Sequence, residues 1–179
     1  MNSNSSRLVG KNSRPIFFML KLVLVFLLLE NFYSYLLSPY TSIDHSIIQN
    51  IKRSTEWLLS FLNYEVLPDS SLFPYRVGVN DTSGVVIGEP CNGLSLFVLY
   101  ISFLIVFKGK WWGKLLFILL GTILIHLLNI LRVTALALVV KYAPENLEFH
   151  HSYTFTLIIY LFIMLLWMIR INVYKHQKC

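Results

Sequence analysis

Four stretches of the chain are apolar for far longer than the rest: residues 16–37, 92–107, 115–140 and 153–169. The first carries Lys21 and Glu30, the third His126 and Arg132, and the second and fourth no charge. At about 1.5 Å per helical residue each approaches the roughly 30 Å of a hydrocarbon layer, the second only with its flanking residues. Lipid leaves no partner for an unpaired backbone group, so helices are the default. The pattern predicts an all-α polytopic membrane protein with about four transmembrane helices, forming one membrane domain over residues 15–171.

The segments between the apolar runs have shorter rhythms. From Ile47 to Asn63 the polar residues Gln49, Lys52, Arg53, Glu56, Ser60 and Asn63 fall on one helical face, and Ile47, Ile51, Leu58 and Leu62 lie opposite. That spacing predicts an interfacial helix along the outer leaflet. In "YRVGVNDTSGVVIGEP" two short β-branched runs flank the turn-rich Asn80-Asp81-Thr82-Ser83-Gly84, which predicts a small extracytoplasmic β-hairpin. Asn80-Asp81-Thr82 also fits a glycosylation acceptor, a motif short enough to be common by chance. The Asn/Ser-rich residues 1–14 read as a disordered tail, with a second tail at 172–179.

Composition agrees with the pattern: 56% of the 179 residues are hydrophobic and 13% charged. The charge of +6 matters for where it sits. Arg7, Lys11 and Arg14 precede the first run, Lys108, Lys110 and Lys114 separate the second from the third, and Arg170, Lys175 and Lys178 follow the fourth. With four crossings these clusters share one side, which the positive-inside rule makes cytoplasmic. Residues 38–90 and 141–152 then face outward, and they hold eight of the nine acidic residues, all but Glu30. The positive charge is an orientation signal, with no nucleic-acid partner implied. The first run is longer than a typical signal-peptide core and shows no small-residue cleavage site, so it reads as an anchor. In this topology Cys91 and Cys179 lie on opposite sides of the membrane, and Cys91 is left a lone thiol.

Candidate chemistry gathers at the outer ends of the helices. In "EPCNGLSLF" Pro90 suits a first helical turn, which sets Cys91 at the start of the second span. A helix N-terminus favours thiolate over thiol, and the free N–H groups around Asn92 and Gly93 are placed to hold an oxyanion. A small apolar filler is the plainer alternative. In "HLLNILRVTAL" Arg132 lies about 12 Å from the outer end of its span. An intramembrane arginine costs roughly 2.5–3.5 kcal/mol and commonly faces a cavity; snorkelling, or pairing with Glu89, is its bland alternative. Asn129 is positioned to brace Arg132 from the preceding turn, and His126, deeper, reads as a packing or hydrogen-bonding residue. In "EFHHSYTF" His150 and His151 lie on the same outer side. Thiol, guanidinium and imidazole from three segments are the equipment of cysteine acyl transfer. Glu89 is placed to tune the thiol or orient its partners. The two histidines lack neighbouring ligands at metal-binding spacing, so no metal or cofactor is expected.

"EPCNGLSLF", "NILRVTAL" and "EFHHSYTF", in this order and each entering or ending a span, resemble the exosortase/archaeosortase family, and in particular its short F- or X-like members. The resemblance covers residues 85–170. It implies a membrane-embedded cysteine transpeptidase or protease that cleaves a C-terminal sorting signal through a thioacyl intermediate, with Cys91 as nucleophile, Arg132 as the arginine and His151, ahead of His150, as the histidine. It implies an exported protein as substrate, a cell-surface polysaccharide or lipid as acceptor, contact with membrane lipid, and a bacterial inner membrane with the site on its extracytoplasmic side. Longer exosortases commonly carry Ser-Gly after the cysteine where this chain has Asn92-Gly93, and they have further N-terminal spans. The alternatives are a non-catalytic membrane subunit of a surface polysaccharide or protein export assembly, and a small anion transporter.

Overall fold

The computed structural model describes residues 4–88 and 91–176. Helix α1 (Asn4–Phe32) runs on through a π-turn (Tyr33–Leu37) and a 3-10 turn (Ser38–Tyr40) into α2 (Ile43–Phe61). Strands β1 (Arg76–Val77) and β2 (Val85–Val86) follow, then α3 (Leu94–Val106) and α4 (Trp111–Tyr142). A 3-10 turn (Pro144–Asn146), the short α5 (Leu147–Phe149) and a π-turn (His150–Thr154) lead into α6 (Phe155–His176).

Among the described residues three helical stretches are long and apolar enough to cross a membrane: Pro15–Tyr40, Trp111–Tyr142 and Pro144–His176. The chain is therefore a multi-pass membrane protein. The helix predicted over 92–107 is shorter than a crossing. Only 13 residues, Leu94–Val106, are helical, which spans about 20 Å. Gly93 at φ 82° lies outside helical space at one end, and Phe107 is extended at the other. Among the described residues the four predicted spans thus correspond to three long apolar helices and one short one.

The predicted hairpin forms, with Arg76 opposite Val86 and Val77 opposite Val85 across an antiparallel pair. A further bridge joins Val66 to Val79. The amphipathic helix also forms: of its predicted apolar face Ile51 is buried and Ile47 and Leu58 are half-buried against the same core, Leu62 is exposed, and Ile48, Thr55 and Leu59 complete the buried stripe. The reason is tertiary: this stripe packs with Val77, Val79, Ile87, Cys91, Ile130, Val133 and Ala137, so α4 and the hairpin cover it. Trp57 and Phe61, stacked at 5.7 Å, stay exposed on another side of α2 and suit a membrane surface.

A second core lies further along the helices. Leu22, Phe97, Tyr100, Phe103, Leu104, Ile125, Ile159, Ile163 and Leu166 bring α1, α3, α4 and α6 together. Tyr100 lies flat against Gly121, where a Cβ would stand 2.1 Å from the Tyr100 hydroxyl. The hydroxyl donates to the carbonyl of Phe117 at 2.8 Å. Close approach through a small residue is the usual way helices pack where lipid removes the hydrophobic drive.

Candidate active site

Cys91 is 7% exposed and belongs to the core around α2 and the hairpin. It sits in a turn three residues ahead of α3, where its N–H donates to the carbonyl of Gly88 at 2.9 Å. The predicted position in the first helical turn is thus displaced, because Gly93 intervenes as the N-cap. Gly93 is required twice over. Its φ is left-handed, and a Cβ there would stand 3.2 Å from Asn129 Nδ2.

Two asparagines hold this turn. Asn129, on α4 and wholly buried, donates through Nδ2 to the carbonyl of Cys91 at 2.8 Å. It braces the cysteine, in place of the predicted brace on Arg132. Asn92 caps α3 by accepting the N–H of Leu94 on Oδ1 at 2.9 Å. Its Nδ2 donates to Asp44 Oδ1 at 2.5 Å. Asp44 Oδ2 accepts from the hydroxyls of Tyr33 at 2.5 Å and Ser38 at 2.9 Å. One carboxylate on α2 therefore gathers the end of α1, its following turns and the cysteine turn.

His151 reaches the thiol: its Nε2 lies 3.2 Å from Cys91 Sγ. It stands in the π-turn that opens the last crossing, and its carbonyl accepts from the hydroxyl of Thr156 at 3.1 Å. π-turns recur at functional sites because the extra residue re-aims its neighbours. His150 is aimed elsewhere, with Nδ1 3.2 Å from Thr154 Oγ1 and its ring between Phe149 and Phe155. His126 pairs with Asn50 Oδ1 at 2.8 Å, away from the thiol. Glu89 and Cys179 lie outside the described residues.

Arg132 completes a pocket of about 370 Å³ whose walls include His151, Asn92, Gly93, Ser95 and Tyr160. It is half-buried, and among the described residues it makes no ion pair or hydrogen bond. A guanidinium facing a cavity without a carboxylate partner has its donors available to a guest. Ser95, on the pocket wall, donates to Glu30 Oε1 at 2.7 Å, so α1 also supports the site. Asp44, Ser95 and Glu30 were missed in the sequence because their partners lie 48 and 65 positions away.

Residues 9–169 match the family described as transmembrane exosortase (Exosortase_EpsH). The chain belongs to the transmembrane exosortase family. No curated protein and no solved structure matches it. The match takes in all three of the segments that carry Cys91, Arg132 and His151.

Proposed function

We propose that this exosortase is a cysteine transpeptidase or protease that cleaves a C-terminal sorting signal of exported proteins at the outer leaflet of a bacterial inner membrane. The observation that carries the reading is the 3.2 Å contact between Cys91 Sγ and His151 Nε2 beside a pocket that also holds Arg132. His151 Nε2 takes the thiol proton as Sγ bonds to the scissile carbonyl carbon. The carbonyl π electrons move onto oxygen, and the Arg132 guanidinium, aided by the turn at Asn92 and Gly93, stabilises that oxyanion. The tetrahedral adduct collapses, the C–N bond breaks, and the imidazolium returns its proton to the leaving amine. A thioester remains on Cys91. An acceptor amine or hydroxyl, or water, then gives its proton to His151, attacks the thioester carbon and releases the thiol.

The depth of the site supports a membrane-anchored substrate. A tail held in the bilayer is already delivered to a pocket between helices, so its encounter with the thiol is intramolecular in character. An exported polysaccharide or lipid supplies the acceptor hydroxyl or amine.

The test is co-expression with a secreted protein ending in a short motif, an apolar span and basic residues, chosen from neighbouring reading frames. Wild type processes it, and Cys91→Ala, at equal membrane abundance, leaves it uncleaved. Mass spectrometry of the wild-type enzyme during turnover reads the acyl adduct on Cys91. Normal processing by Cys91→Ala would return the chain to a non-catalytic subunit of an export assembly.

A further inference from the structure

At the end of the bundle away from Cys91, α6 buries a charge that the cysteine chemistry does not use. Arg170 is 1% exposed, and its Nε, Nη1 and Nη2 all lack a hydrogen-bond partner among the described residues. Nineteen helical positions separate it from His151, about 28 Å along the chain's last crossing. Arginine cannot escape burial by losing its proton, so an unpaired buried guanidinium requires a counter-charge. Residues 1–29, 90–144 and 149–179 contain no Asp or Glu side chain to supply it. The neighbours are themselves positive. Lys114 lies within electrostatic reach of Arg170, and its Nζ donates to the carbonyl of Ile105 at 3.1 Å. The first turn of α4, which begins at Trp111, adds its unsatisfied N–H dipoles.

The cover over the guanidinium is thin in a specific place. Nη2 packs beneath Gly109, where a Cβ would stand 2.7 Å away, and beside Gly113, where it would stand 3.5 Å away. Gly109 is exposed, between exposed Lys108 and Lys110. Phe117 closes another side, with the guanidinium carbon 5.0 Å from its ring centroid. Trp111 and Trp112, 64% and 80% exposed, mark the level of a membrane interface.

We propose that Arg170, Lys114 and the first turn of α4 form a binding site for a phosphate group, with the headgroup of an anionic phospholipid in the adjacent leaflet as its source. Phosphate accepts two parallel N–H bonds from a guanidinium, and basic pockets between transmembrane helices are known lipid-headgroup sites. At Gly109 and Gly113 Nη2 is covered by backbone alone, so a shift of the exposed Gly109 turn, with no side chain to displace, opens it to a phosphate. A bound lipid would clamp the α3–α4 turn to α6.

The test uses the detergent-purified full chain. Thermal unfolding is followed in micelles doped with phosphatidylglycerol or phosphatidylcholine, and in inorganic phosphate against chloride at matched ionic strength. Phosphatidylglycerol should raise the wild-type Tm by about 5 °C more than phosphatidylcholine. That difference should vanish in Arg170→Met and survive in Lys175→Gln, which removes an exposed charge nearby. The same Arg170 dependence with inorganic phosphate alone would keep the site and reassign it to the free anion. If Arg170→Met fails to accumulate, Lys114→Gln reads the same quantity and should at least halve the shift, along with the phospholipid retained on purification. Equal shifts in wild type and the folded variant, or no shift with either anion, would overturn the proposal.

Discussion

The exosortase carries one arginine in α4 and one in α6, and the two stand in opposite circumstances. Arg132 is half-buried against a cavity of about 370 Å³, surrounded by polar groups that are already engaged with one another. Arg170 is 1% exposed, and among the described residues none of its side-chain nitrogens has a hydrogen-bond partner. At the Cys91 end the chain supplies its own acceptors, Asp44 and Glu30, and leaves one guanidinium facing open space. At the other end no Asp or Glu side chain supplies one. The comparison separates two uses of the same side chain. A cation beside a preorganised polar wall is equipped to meet a charge that develops during a reaction, whereas a cation buried without a wall needs a permanent guest.

The largest effect that would sharpen this contrast comes from Arg132→Lys. Lysine keeps the charge but replaces a planar fork of donors with a compact ammonium. If Arg132 stabilises an oxyanion, processing falls about a hundredfold to a thousandfold while insertion and abundance stay normal. Wild-type processing by the lysine variant, measured by immunoblot of the cleaved substrate, would reduce Arg132 to a charge-balancing role.

Asp44→Asn is the next step down. The carboxylate accepts from Asn92, Tyr33 and Ser38 at once, and an amide can accept on only one of its two atoms. Loss of a buried hydrogen bond to a charged group costs about 1.5–3 kcal/mol, so processing should drop about tenfold to a hundredfold through a displaced cysteine turn. The alkylation rate of Cys91 by iodoacetamide, read against pH, would change in parallel. A variant with lowered abundance but an unchanged alkylation profile would show that Asp44 only holds the fold.

Gly121→Ala tests the packing between the two ends. The added methyl would stand 2.1 Å from the Tyr100 hydroxyl, so α3 and α4 must separate. Overpacking of this kind costs about 1–3 kcal/mol, which should lower the Tm by several degrees. Ring carbons Cζ and Cε1 of Tyr100 would also stand 2.3 and 2.5 Å from the methyl, so Tyr100→Phe should give no rescue, whereas Gly121→Ala should cost less in a Tyr100→Ala background than in wild type. An unchanged Tm in the single variant would mean that Tyr100 moves aside freely.

Much of this arrangement was readable before any coordinates. The long apolar runs produced the long helices, and the turn cluster at Asn80–Gly84 produced the hairpin, because each signal is local. Cys91, Arg132 and His151 were legible as candidates, since an uncommon residue type is conspicuous in an apolar background. What failed to show was pairing. The stripe on α2 took in Ile48 and Leu59 against α4, Asn129 chose the Cys91 carbonyl, and Asp44 found Asn92 across 48 residues. Arg170 escaped for another reason: it stood among lysines whose presence the positive-inside rule had already explained, and burial cannot be read from such a cluster.

The smallest predicted effect concerns the histidine that faces away. His150 and His151 are adjacent in sequence and share an environment in composition, so only orientation separates them. His151 Nε2 is 3.2 Å from the thiol, and His150 Nδ1 is 3.2 Å from Thr154 Oγ1, with its ring against Phe149 and Phe155. Truncating His150 removes a side-chain hydrogen bond and two ring contacts within the π-turn, together worth about 1–2 kcal/mol of local order, and leaves the proton acceptor in place. His150→Ala should therefore process substrate within about threefold of wild type once rates are normalised to abundance, because a loosened turn still returns His151 to the thiol for part of the time. In the proposed mechanism His151 carries the proton, so His151→Ala should fall to the level of Cys91→Ala. Adding imidazole to the medium gives a further distinction, since a small base entering the vacated pocket can restore some activity to His151→Ala but has no vacancy to fill beside the thiol in His150→Ala. Equal loss in the two variants, or imidazole rescue of His150→Ala, would show that the π-turn re-aims during turnover and that the histidine nearest the thiol at rest is not the one that moves the proton.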